Sequence, residues 1–99
     1  MLTLITPPEM GLALAQRLRE LRLLKGWTRA TLAARAGVSA ASLKRFETGG
    51  QASLELVLKV AHALGRLGDF AEILQPPPAA DIAELEQRAA KPTPKRGRI

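Results

Sequence analysis

The residues best placed to do chemistry are cations. Lys44 and Arg45 stand side by side, one helical turn after the small pair Ala40 and Ala41 and behind the hydroxyls of Ser39 and Ser42. Small residues followed by cations favour close approach to a polyanion over the making or breaking of a covalent bond. Catalytic alternatives find little to work with. The 99-residue chain has no cysteine, so a thiolate nucleophile, a disulfide framework and a cysteine-type zinc site are all excluded, and a lone His62 cannot assemble a metal site by itself. There is no glycine-rich phosphate loop, and the carboxylates are scattered along helical faces as caps and ion-pair partners. We expect no enzyme, no catalytic residue, no cofactor and no metal.

Charge is distributed in blocks. Over residues 10–50 eight basic residues face only Glu20 and Glu47, residues 51–90 are acidic on balance, and the end of the chain adds Lys91, Lys95, Arg96 and Arg98. A net charge of +6 concentrated in the first half and the tail makes nucleic acid the first candidate partner. No apolar run approaches the ~18 residues that span a bilayer, and the opening six residues carry no positive charge for a secretory signal. A cytoplasmic location without membrane contact is expected.

The elements that must position these cations are short helices. Thr6-Pro7-Pro8-Glu9 has the form of a capping box with proline at the first helical position, after which Leu14, Leu18 and Leu21 recur at helical spacing until Gly26. Trp27 is a connector packed as core. Thr28 caps a second helix through Leu32, Ala33 and Ala36 that Gly37 stops, and Ser39 caps a third from Ala40 to Glu47, closed by Gly49 and Gly50. Ser53 opens a fourth with Leu54, Val57, Leu58, Ala61 and Leu64 on one stripe, ending at Gly65. Asp69 with Glu72 predicts a fifth, with Phe70, Ile73 and Leu74 as its apolar face, before Pro76-Pro77-Pro78. Asp81 starts a last helix with Ile82, Leu85 and Ala89 on one side, followed by a basic tail expected to be disordered. The division is a 1–8 arm, a 9–75 domain, and 76–99 as proline-rich break, short helix and tail.

The two helices between Thr28 and Glu47 fit a helix-turn-helix. Gly37 supplies the reversal, Ala33 is small where the helices cross, Val38 plugs the turn, and Leu43 and Phe46, three apart, face inward. Ala40, Ala41, Lys44 and Arg45 then face outward, as on a recognition helix.

The run Leu-Arg-Leu-Leu-Lys-Gly-Trp-Thr-Arg-Ala-Thr-Leu-Ala-Ala-Arg-Ala-Gly-Val-Ser-Ala-Ala-Ser-Leu-Lys-Arg-Phe-Glu-Thr-Gly resembles the Xre/Cro, lambda-repressor-like DNA-binding family over about residues 12–74. The resemblance implies an all-α, five-helix domain. It also implies that Glu47, closing the recognition helix, pairs with Arg22 on helix 1, a structural tie in place of a DNA contact. Where relatives often carry glutamine at the start of helix 2, this chain has Arg29, and the usual glutamate two residues on is Thr31. Arg29 keeps a phosphate contact, while the glutamine's brace onto the recognition helix has no obvious replacement. Ala40 and Ala41 replace side chains that hydrogen-bond to bases, which leaves contact with thymine methyls, so base reading falls to Lys44 and Arg45. Phosphate contacts fall to Thr28, Arg29, Ser39 and Ser42, helped by the amide ends of helices 2 and 3.

A domain of this kind reads one half-site, so the resemblance implies a homodimer on a pseudo-palindromic double-stranded operator, acting as a transcriptional repressor of its own promoter. Candidate pairing surfaces are the Phe70-Ile73-Leu74 helix, the Ile82-Leu85 helix and residues 2–5 as a strand. The leading segment, the proline-rich break and the basic tail are similar to HipB-type antitoxins, which implies a HipA-like kinase toxin as a further partner. A stand-alone or phage-type repressor and a protein-interaction module of the same fold are the alternatives.

Overall fold

The computed structural model describes residues 5–78 and 82–90. All regular structure among them is helical: α1 (Pro7–Leu24), α2 (Arg29–Ala36), α3 (Ala40–Gly49), α4 (Leu54–Ala63), a 3-10 turn (Leu67–Phe70) and α5 (Ile82–Ala90). Four starts share one device. The hydroxyls of Thr6, Thr28, Ser39 and Ser53 accept the backbone N–H three residues on, at 3.3, 3.1, 3.0 and 3.1 Å, satisfying a donor that the helix itself leaves orphaned. Because Thr6 caps at Pro7, the first helix takes up the last two residues of the expected arm.

The stops are equally local. Gly37 adopts φ 71°, and Val38 N–H reaches Ala33 O at 3.0 Å while Gly37 N–H reaches Ala34 O at 3.3 Å, the paired bonds of a Schellman turn. This reversal aims α3 across α2. α3 runs two residues past its expected end, to Gly49, with Gly50 as its left-handed cap.

Inside, α1 and α2 both pack on α3, α2 also packs on α4, and α4 packs on the 3-10 turn. Phe46, Leu32, Leu43 and Val60 are completely enclosed, with Ala15, Leu18, Ala33, Leu56, Val57, Ala61 and Leu64 around them. Each large side chain buried this way contributes roughly 1.5–3 kcal/mol by leaving water. Trp27, Leu21 and Val38 are half-buried against this core.

Two expectations change. α4 turns a different face inward: Leu56, Val57, Val60, Ala61 and Leu64 are buried, whereas Leu54 is 66% exposed and Leu58 half-buried. Its apolar residues occupy most of its circumference, so spacing alone allowed two stripes, and packing against α2 selects one. The helix expected from Asp69 is absent. The Asp69 carboxylate turns back to Arg66 Nη2 at 2.7 Å and so does not cap forward, the chain makes one 3-10 turn, and Leu74 sits at φ 58° with 95% of its surface exposed. The domain therefore has four α-helices and a 3-10 turn, and the fifth α-helix is the separate one after the prolines. There Leu85 is exposed. The Asp81 cap, residues 2–4 of the expected strand and the basic tail lie outside the described residues; Ile5 has no regular structure and is exposed.

Candidate nucleic-acid interface

The outer face of α3 follows from what its inner face buries. With Leu43 and Phe46 enclosed, the helical period leaves Ala40, Ala41, Lys44, Arg45 and Thr48 exposed. Lys44 and Arg45 have no side-chain partner among the described residues, a condition shared by Arg17 and Arg19 on α1. The other cations of the domain are engaged. Lys59 pairs with Glu55 at 2.9 Å and Arg66 with Asp69, while Lys25 and Arg35 lie 5.2 and 4.5 Å from the centre of the Trp27 ring. The eight donors of Lys44 and Arg45 are thus available outward.

Beneath this face is a buried ionic knot. Arg22 donates from Nε to Glu47 Oε2 at 2.9 Å and from Nη2 to Oε1 at 3.0 Å, a two-point grip, and from Nη1 to the Trp27 carbonyl at 2.8 Å. Trp27 N–H returns to the Arg22 carbonyl at 3.2 Å. Arg29 Nε adds a third bond to Glu47, to Oε1 at 3.1 Å. The side chains of Arg22 and Glu47 are 7% and 2% exposed. Burial alone pushes the Glu47 carboxyl up, yet the hydrogen bonds from Arg22 and Arg29, with their charges, outweigh it and hold the group below its ordinary value.

The sequence placed Arg22 with Glu47, and the two meet. It provided no brace for Arg29, and here the outcome differs: Arg29 is tied to the recognition helix through Glu47, at the helix's far end. Its side chain is still 37% exposed, so the brace leaves it a surface. Thr28 and Thr31 form a hydroxyl pair at 3.0 Å, and Ser39 and Ser42 another at 2.7 Å. The Ser39 proton, expected to be offered outward, is given to Ser42. Each pair keeps one hydroxyl proton for an external acceptor.

Thr48, Lys25 and Arg35 were not singled out from sequence. Thr48 donates back to the Lys44 carbonyl at 2.8 Å, an ordinary helical back-bond. The cations over Trp27 come from either side of a chain reversal, so no sequence spacing announces them. Among the described residues there is no group of three metal-capable side chains and no helix long and apolar enough to cross a membrane.

Searches of curated proteins and of solved structures each returned no match. A helix-turn-helix family model, HTH_3, matches residues 18–69, just over half of the chain, running from the middle of α1 to the 3-10 turn and including every residue of the knot and of the exposed α3 face. The chain belongs to this Xre-like helix-turn-helix family of DNA-binding transcription regulators.

Proposed function

We propose that the chain is a sequence-specific repressor of double-stranded DNA, binding a pseudo-palindromic operator in its own promoter as a homodimer. The observation that carries this reading is the exposed, unpartnered pair Lys44 and Arg45 on a helix whose far end is locked to α1 and α2 by Glu47. Rigid placement matters because base recognition needs donors held in register with the groove. Ala40 and Ala41 allow the leading turn to approach the base edges, and Arg29 flanks it as a phosphate donor with the hydroxyl pairs Thr28–Thr31 and Ser39–Ser42, each through the one proton it keeps free. The proposed role is binding, without a catalytic step.

For pairing we propose the groove of about 410 Å³ between α1 and the 3-10 turn, where Leu14, Leu18, Leu21, Leu24, Phe70 and Ile73 are bordered by the charged side chains of Arg17, Glu20, Arg66 and Asp69. The HipA-like kinase rests on resemblance alone, and much of the sequence that suggested it, residues 2–4 and 91–99, lies outside the described residues. Co-purification with the product of the neighbouring gene tests it.

The repressor reading is tested by titrating the full chain against its upstream promoter duplex and a scrambled duplex at two salt concentrations. Preference for the promoter that survives the higher salt, at two chains per site, supports it. Equal, salt-sensitive binding to both would reduce the charge to a generic attraction and favour the interaction-module alternative.

A further inference from the structure

The chemistry of the exposed α3 side chains restricts which bases they can read. Adenine is gripped in the major groove by a side chain that both donates and accepts, asparagine or glutamine, and the cytosine amino group by a carboxylate. α3 offers neither. It contains no amide, and its single carboxylate, Glu47, is buried and held by two arginines. Of its hydroxyls, Thr48 donates to the Lys44 carbonyl at 2.8 Å, and Ser42 accepts the Ser39 proton at 2.7 Å, which leaves Ser42 its own proton to give. What remains outward is methyls, on Ala40 and Ala41, and donors, on Lys44, Arg45 and the Ser42 hydroxyl. Gln51, the nearest amide, stands beyond Gly50 at the opposite end of α3 from the leading turn.

Donors match acceptors, and methyls match methyls. Guanine presents two acceptors in the major groove, O6 and N7, and thymine presents its C5 methyl. The helical rise of ~1.5 Å per residue puts Lys44 and Arg45 about 4.5–6 Å along the axis from Ala41. That is one to two base pairs at ~3.4 Å each.

Resting on the DNA-binding reading above, we infer that α3 reads keto bases: guanine O6 and N7 through Arg45 and Lys44, and thymine methyls through Ala40 and Ala41, one to two base pairs apart in each half-site. Adenine and cytosine are specified only through the guanine or thymine opposite them.

The test begins with selection of preferred duplexes from a random-core library by the full chain. Single positions of the selected duplex are then replaced by 7-deazaguanine, which lacks N7, by deoxyuridine, which lacks the methyl, or by a purine lacking the adenine amino group. Binding is followed by anisotropy at fixed salt. The expected result is about 5-fold or greater weakening for one 7-deazaguanine position. About 4-fold weakening is expected for one or two deoxyuridine positions, and less than 2-fold change for adenine amino removal. Arg45→Ala should lose the 7-deazaguanine effect at one guanine position, which ties that guanine to Arg45, and Arg45→Ala with Lys44→Ala should lose it at every position. Weakening on adenine amino removal, with the guanine and thymine analogues neutral, would overturn the inference while leaving specific DNA binding intact, and would move the reading to Gln51. A selection that returns no preferred sequence would overturn both.

Discussion

Nε of Arg29 lies 3.1 Å from Oε1 of Glu47, the same oxygen that accepts Nη2 of Arg22 at 3.0 Å. One carboxylate therefore fastens α1 and the first residue of α2 to the end of the recognition helix. The arrangement orients α3 more than it adds net stability, since charges this deeply buried lose hydration that their mutual attraction must offset.

Removing one partner is a different matter. Glu47→Gln keeps the volume and leaves Arg22 with no counter-charge beneath the surface, for which a loss of about 3–5 kcal/mol is expected. Urea unfolding followed by the fluorescence of Trp27, the sole tryptophan, measures it. The double variant Arg22→Met, Glu47→Leu should lose less than Glu47→Gln alone, because neither charge is then stranded. Equal stability of wild type and Glu47→Gln would show that the knot is no constraint on the fold.

The same carboxylate makes stability pH-dependent in a definite direction. Its folded pKa lies below the ordinary value of 4.5, so the folded state holds the proton less readily than the unfolded chain. The knot's contribution is fully present above about pH 4.5 and is lost as pH falls through the depressed folded value. Unfolding free energy measured from pH 6 to pH 3 should decline more steeply in wild type than in Glu47→Gln. Parallel curves would place the acid sensitivity elsewhere.

A different constraint holds α1 against the loop after α3. A Cβ on Gly50 would lie 2.6 Å from Leu12 N and 2.7 Å from the Gly11 carbonyl carbon, both backbone, and Gly50 sits at φ 72°. Gly37 has nearly the same φ, 71°, with nothing within 4 Å of the position a Cβ would take. Gly37→Ala should therefore cost only the conformational strain, about 1–2 kcal/mol. Gly50→Ala should cost more, because two backbones must part. Equal losses in urea titrations of the two variants would mean that α1 and the loop separate without penalty.

The helix starts were legible because a hydroxyl and an N–H three residues on are a local match, as at Thr28 and Ser39. The outer face of α3 was legible for the same reason, since burying Leu43 and Phe46 leaves Lys44 and Arg45 on the far side. Where a residue had two possible partners, spacing could not choose. Asp69 could cap forward or pair back with Arg66 and did the latter, and α4 had a second apolar stripe. The Arg29 bond to Glu47 spans 18 residues and two helices, so only the packed structure reveals it.

That bond separates two roles for Arg29, bracing the recognition helix and meeting a phosphate, and salt dependence distinguishes them. Loss of a single phosphate contact lowers the slope of log affinity against log salt by about 0.9 and weakens promoter and scrambled duplexes alike. Arg29→Ala should show this change in slope together with a reduced unfolding midpoint. Arg29→Lys should restore most of the slope, since its ammonium still meets the phosphate, though not the midpoint, because lysine lacks the Nε–H that now reaches Glu47. Arg45→Ala should instead narrow the gap between promoter and scrambled duplex. If Arg29→Ala lowers the midpoint and leaves the slope unchanged, Arg29 is a brace only, and the phosphate donors of this face reduce to the hydroxyl pairs at Thr28 and Ser39.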